Sequence, residues 1–282
     1  MPQHPSEQNT PENRVPISVI IPCFRCTKTI GRAVDSILQQ TAKPIEIILV
    51  DDFSGDDTHD VLLSLQQSQP NLIKVVALKK NEGAGMARNA GWEVARQPYI
   101  AFLDADDSWH QEKLALQHAF MEKTPDVSLC GHLCTLSTDK NTPKIDLNRM
   151  TSTLVPTTRW LFMNAFSTPT VMLKRDLPLR FESGQRYCED FLLWQSIAFS
   201  GHLVARLEVS LACIHKPIYG AGGLSGELWK MEMGELDNFL QLWQKGYIGP
   251  LSFLVATSFS LMKFSRRCLR VAGAKVGKLL LS

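Results

Sequence analysis

No aspartate or glutamate occurs beyond Asp237 in this chain of 282 residues. From residue 248 onward the only charges are Lys263, Arg266, Arg267, Arg270, Lys275 and Lys278, so the tail carries +6 and the first 247 residues carry −4. The overall net charge of +2 conceals both. An acidic body with an acidic cleft is a poor partner for nucleic acid, whose phosphates call for a basic surface. The N-terminus lacks the apolar core of a secretory signal, and its prolines and polar residues read as a disordered leader over 1–14. Ordered Cys/His metal spacing is also missing. The seven cysteines are an odd number without a signal peptide, and they read as reduced, buried side chains in a cytosolic setting. With 44% apolar and 21% charged residues, the composition excludes disordered, collagenous and disulfide-scaffold chains.

What is present is an alternation. Ile17–Ile21, closed by Pro22, is an apolar and β-branched run suited to a strand buried on both faces, and Ile45–Val50, Ile73–Leu78 and Tyr99–Leu103 read as the second, third and fourth strands. Helical spacing separates them: Ile30, Ala33, Val34, Ile37 and Leu38; then Val61, Leu62 and Leu65; then a segment running to Ala95 after the turn Asn81–Gly85. This order predicts βαβ units in a mainly parallel, Rossmann-like sheet with flanking helices. Beyond it, a helix is expected over His110–Lys123, strands over Val127–Leu136 and Pro169–Lys174, and a helix over Glu189–Phe199. Residues 137–168 read as a long connection.

Asp104, Asp106 and Asp107 follow the fourth strand, on the carboxyl edge where open α/β sheets hold ligands. Three carboxylates in four residues repel one another, and a hard divalent cation such as Mg2+ or Mn2+, bridging to phosphates, offsets that cost. A helix cap would need only one of the three. Asp51 and Asp52 end the second strand on the same edge and extend an acidic rim suited to base and ribose. Arg88, near a helix N-terminus and flanked by small residues, is a candidate anion contact, weighed against a surface salt bridge. Glu189 and Asp190 open a helix, where the dipole alone would favour them. Trp194 is either core or a wall of an acceptor site. His215 is a second candidate metal ligand, weighed against a structural role, and the glycine-rich stretch 220–225 is read as a flap over the donor.

Five ordered motifs resemble the inverting family 2 glycosyltransferases of the GT-A fold: Val19–Phe24, Val50–Asp56, Asn81–Gly91, Phe102–Asp107, and Cys188–Asp190 with Trp194. The resemblance spans about residues 15–215. It implies a nucleotide-sugar donor, most simply a UDP-sugar, a Mn2+ or Mg2+ ion, and a glycan or lipid-linked acceptor in cell-surface polysaccharide synthesis. Carried over by position, Pro22, Phe24 and Asp52 would line the nucleobase region. Arg88 would help hold the nucleotide, Asp104 would approach the ribose, and Asp106 would ligate the metal. Asp190 would be the general base of a direct displacement, with Glu189 beside it orienting the acceptor. Arg25 stands where the family often has Asn, and Phe24 replaces a common Tyr. A non-catalytic nucleotide-sugar binder and a nucleotidyltransferase are the rival readings. An aspartyl phosphohydrolase fits poorly, because its Asp-x-Asp follows the first strand.

The expected domain is 15–245, followed by a basic amphipathic extension over 246–282. Gly246–Met262 is uncharged, but a helix from Pro250 to Met262 would extend only about 20 Å, short of a bilayer core. On a helical wheel Leu261, Met262, Cys268, Leu269, Ala272, Val276 and Leu279 gather opposite Lys263, Arg266, Arg267 and Arg270. That pattern suits a helix lying on an anionic membrane, weighed against a helix packed on the protein with a solvated basic face or one that binds a partner; the membrane reading is favoured, and with it a cytoplasmic protein peripheral to the inner membrane face.

Overall fold

The computed structural model describes residues 13–136, 151–215 and 227–279. Most of the leader and the whole predicted flap lie outside these residues. Strands β1 (Arg14–Cys23), β2 (Lys43–Asp51), β3 (Ile73–Ala77) and β4 (Tyr99–Phe102) run parallel in the order β3-β2-β1-β4. The apolar runs of β1 and β2 follow from burial on both sides: Ile17, Val19, Ile20, Ile21, Ile47, Ile48 and Leu49 have no exposed surface, whereas the edge strand β3 exposes Lys74 and Ala77. Helices α1 (Ile30–Leu38), α2 (Thr58–Ser68) and α3 (Ala84–Val94) alternate with them. Helix α3 lies close on the sheet because Gly91 has no side chain. A Cβ there would sit 2.5 Å from Ile20 Cγ2 and 3.1 Å from Val50 Cγ2. Arg88, one turn earlier, is thereby brought onto the carboxyl edge.

The second half of the sheet changes direction. The short strand β5 (Ser108–Trp109) leads into α4 (Lys113–Lys123) and then β6 (Val127–Leu136), β7 (Ser152–Leu154) and β8 (Met172–Lys174). Beyond α5 (Glu189–Phe199), β9 (Leu203–Ile214) completes the sheet. Strand β8 is antiparallel to β4 and to β6, whereas β6 and β9 are parallel. Helix α4 starts three residues later than expected, because the His110 amide is bonded to Leu211 on β9. The strand predicted over Pro169–Lys174 divides into a 3-10 turn, Thr168–Thr170, and the short β8. The described part of the predicted connection holds β7 and a second 3-10 turn, Thr157–Leu161.

Two helices close the chain. Helix α6 (Leu228–Gln244) had no counterpart in the sequence reading, and α7 is one helix of 30 residues, Pro250–Leu279. They pack together and onto α5 around Leu161, Leu192, Phe239, Leu242, Ile248 and Ala256. The contacts correct the expected orientation of the basic face. Lys263 Nζ is 2.6 Å from Glu235 Oε1, Arg267 Nη2 is 2.6 Å from Glu232 Oε2, and Ser260 Oγ donates to Glu232 Oε1 at 2.9 Å. These cations point inward because α6 supplies buried carboxylates that no spacing within α7 could reveal. Outward lie Leu251, Leu254, Val255, Leu261, Met262 and Leu269, all exposed. Among the described residues no helix is long and apolar enough to cross a membrane.

Candidate active site

The loops after β1 and β2 shape one end of the carboxyl edge. Arg25 and Phe53 both adopt positive φ (49° and 55°), a costly conformation for side chains of this size. Ser54 holds both loops: its Oγ accepts from the Arg25 amide at 3.2 Å and donates to Asp51 Oδ1 at 2.6 Å. The strain leaves the rings of Phe24 and Phe53 exposed, with the Arg25 guanidinium 5.2 Å from the Phe24 centroid. Phe53 was not singled out by the sequence reading; positive φ at an aromatic residue leaves no composition signal.

Asp52 is buried, and its carboxylate accepts the amides of Glu82 and Gly83 at 2.8 Å and Asn81 Nδ2 at 3.0 Å. It therefore fixes the turn that leads into α3. Burial raises its pKa, against the lowering effect of those two amides and of Arg186. Pro22 continues β1 opposite Val50 at the same edge.

Arg88 joins three elements. From α3 its Nη2 contacts Asp104 Oδ1 at 2.7 Å, past the end of β4, and its Nη1 contacts Glu189 Oε1 at 3.1 Å, in the first turn of α5. Burial opposes the guanidinium charge, but the two carboxylates outweigh it and the pKa is raised. In this arrangement Arg88 is engaged in holding Asp104 and Glu189, which makes it a positioning residue.

Asp190, half-buried next to this pair, is held at both oxygens. Thr168 Oγ1 donates to Oδ2 at 3.1 Å, and the Phe191 amide donates to Oδ1 at 2.6 Å. Burial, then Glu189, push its pKa up to about 7, against Arg88, the Phe191 amide and Thr168. A carboxylate poised near neutrality is suited to take a proton from a hydroxyl. Cys188, just before this pair, is in the left-handed region at φ 56°, which sets the entry angle of α5.

Trp194 is a correction. It has no exposed surface and packs against Phe102 and Phe181 at centroid distances of 6.4 and 6.0 Å, so it is core and offers no acceptor wall. Its neighbours in space come from β4 and the 181 segment, which spacing along α5 does not show.

Asp107 is buried and accepts the His215 amide at 3.2 Å, tying the end of β9 beside Asp106. Burial, then Arg32, lower the His215 pKa, while Asp106 raises it, so the ring is neutral near pH 7 and in the form that ligates metals. Ser108 Oγ lies 2.8 Å from its Nε2. Among the described residues no group of three His, Cys, Asp or Glu side chains gathers as a metal cage. A carboxylate and a neutral imidazole still fit an ion that keeps waters and binds donor phosphate oxygens.

The sheet order and the acidic carboxyl edge define an α/β domain with a half-buried carboxylate, Asp190, at its rim. The chain belongs to glycosyl transferase family 2, whose model matches residues 18–183. It is 43% identical over 108 residues to the Escherichia coli UDP-Glc:alpha-D-GlcNAc-diphosphoundecaprenol beta-1,3-glucosyltransferase WfaP, covering 38% of this chain and 41% of that one. A second E. coli protein described by the same activity, WfgD, is 29% identical over 189 residues, covering 67% of this chain and 72% of that one. The match to WfaP thus spans less than half the length of that relative. The fold is that of GT-A enzymes. The Staphylococcus aureus TarS 1-349 structure aligns with TM-score 0.66 at 19% identity, covering 89% of this chain and 73% of that one. The Pyrobaculum calidifontis mannosyltransferase PcManGT in complex with GDP-Man and Mn2+ aligns with TM-score 0.64 at 18% identity, covering 92% and 75%.

Proposed function

We propose that the protein is an inverting glycosyltransferase that moves a sugar, most simply glucose from UDP-glucose, to a lipid-linked glycan acceptor in cell-surface polysaccharide synthesis. The observation that carries this reading is Asp190: a carboxylate with both oxygens oriented and its pKa near 7, on the rim of the donor edge. The relatives' described donor and diphosphoundecaprenol acceptor support the substrate class.

In this reading Asp190 accepts the proton of the acceptor hydroxyl as that oxygen attacks the anomeric carbon. The bond from that carbon to the diphosphate breaks on the opposite face, so the configuration inverts and the nucleoside diphosphate departs. Phe24 and Phe53 contact the nucleobase, and Asp52 shapes the turn beneath it. Arg88 keeps Asp104 toward the ribose and Glu189 against α3. Asp106 and His215 would hold Mn2+ or Mg2+, which when bound neutralises charge on the diphosphate.

The protein is also proposed to lie on the cytoplasmic face of an anionic membrane. Support comes from the exposed apolar stripe on α7 beside Arg266 and from the acid-free tail. The apolar stripe, rather than the inward Lys263 and Arg267, is the contact face. Sedimentation with anionic vesicles should fall when Leu254 and Met262 are changed to Gln; unchanged binding refutes the membrane role.

Incubation with UDP-glucose, Mn2+ and a prenyl-diphospho-GlcNAc tests the reaction. The expected products are free UDP and a β-linked disaccharide by NMR. Pyrophosphate release would indicate a nucleotidyltransferase, and absence of free UDP a binder. Chelation should abolish turnover.

A further inference from the structure

We propose that the cleft between residues 184–187 and the first half of α6 is the acceptor subsite, binding a pyranose ring together with its diphosphate. The inference rests on the glycosyl-transfer reading and assigns residues outside every motif that supports it. The cleft has a volume of about 530 Å3 and is lined by Arg186, Tyr187, Trp229, Lys230, Met233 and Asp237, among others. Trp229 is a large aromatic ring left 62% exposed. The C–H face of a pyranose stacks on such a ring, while Arg186 supplies charge for phosphate oxygens; Lys230 is paired with Glu227, its Nζ 2.5 Å from Oε2.

Three relationships tie the cleft to the reaction. First, Tyr187 is followed directly by Cys188, Glu189 and Asp190, and this segment is fastened to α6. Asn238 Nδ2 donates to the Cys188 carbonyl at 2.9 Å, and Gln185 Nε2 donates to Asn238 Oδ1 at 2.8 Å. Gly234 permits the contact: a Cβ there would lie 2.7 Å from the Tyr187 carbonyl oxygen. The wall of the cleft therefore runs without a gap into the general base. Second, Arg186 relates the cleft to Asp52. It lines the cleft, and it is close enough to Asp52 to lower that carboxyl's pKa, although burial, the larger influence, raises it. Third, Trp229 meets Phe264 of α7 at a centroid distance of 5.6 Å, so the cleft opens beside the helix that carries the outward apolar stripe.

The test is calorimetric titration of the full chain, held in UDP, with a short-chain prenyl-diphospho-GlcNAc, so that binding is read without turnover. Wild type should bind. Trp229→Ala should weaken binding about tenfold or more, a loss of about 1.4 kcal/mol, and Trp229→Tyr should restore most of it. UDP affinity should be unchanged in both variants, which also reports that they are folded. Equal acceptor affinity in wild type and Trp229→Ala overturns the subsite, and so does a wild type that binds UDP but not the acceptor. If wild type binds both substrates and transfers nothing, the glycosyl-transfer reading fails instead. A patch that binds a protein partner would leave acceptor affinity insensitive to Trp229, and that outcome also refutes the proposal.

Discussion

Thr168 Oγ1 donates to Asp190 Oδ2 across 3.1 Å, joining a 3-10 turn to the first turn of α5. The turn is itself gripped from the core. Trp109 Nε1 donates to the Pro169 carbonyl at 2.8 Å, and Gln117 Nε2 donates to the Thr170 carbonyl at 3.0 Å. The hydroxyl that faces the carboxylate is thus fixed by a buried indole and a buried amide. A hydrogen bond to the charged form favours it, so Thr168 lowers the Asp190 pKa against burial and Glu189. Thr168→Val should therefore move the acidic limb of the kcat/KM profile upward by about one pH unit, and Thr168→Ser should restore it. A threonine that only packs would leave the limb where it is.

The raised pKa of Asp190 has a consequence for stability. Its folded value, about 7, lies above its unfolded value, so the associated stability is full below the unfolded pKa and is lost as pH rises through 7. Asp190→Asn cannot ionise. Relative to wild type, its melting temperature should rise progressively from pH 4 to pH 7 and the difference should level off above that, as followed by thermal melts at several pH values. A pH-independent difference would contradict the assigned shift.

Arg88→Met tests the junction of α3, β4 and α5. It leaves Asp104 and Glu189 facing each other without their shared cation, and loss of one partner of a buried ion pair costs about 3 kcal/mol. Chemical denaturation should record that loss. Adding Glu189→Gln to Arg88→Met should recover part of it, because the remaining carboxylate then has no like charge beside it.

The parallel half of the fold was legible because its inner strands are buried on both faces and read as mainly apolar runs, as in Ile17–Ile21, while the edge strand β3 still keeps Ile73, Val75 and Val76 around its exposed Lys74. Glu189–Phe199 was legible as a helix for a related reason: one segment carried its whole apolar pattern. The acids on the carboxyl edge were found because motif spacing and strand ends coincide. The partnerships were not legible. Nothing near Asp190 in the sequence points to Thr168, and nothing in α7 points to Glu232 or Glu235, since these pairs are made by packing across 22 to 35 residues. Trp194 has a helical neighbourhood that suits either core or pocket, and only the rings of Phe102 and Phe181 decide it. Helix α6 mixes Glu232, Glu235 and Asn238 into its buried face, which hides its amphipathic period.

Glu232 has a fully buried side chain and depends on Arg267 and Ser260. Arg267→Ala should strand it, favour its protonated form and loosen α7, because burial already raises its pKa. Limited proteolysis should cut the α7 region faster in Arg267→Ala than in wild type, and Arg267→Ala with Glu232→Gln should be protected again. Equal cleavage of all three would mean that the ion pair does not anchor the helix.

The most direct test of Asp190 as the general base is the turnover of Asp190→Asn with UDP-glucose, Mn2+ and the lipid-diphosphate acceptor, measured together with UDP affinity. The expected result is a kcat lower by about three orders of magnitude, with UDP bound as tightly as by wild type. A variant that turns over at the wild-type rate while binding UDP normally would contradict the assignment.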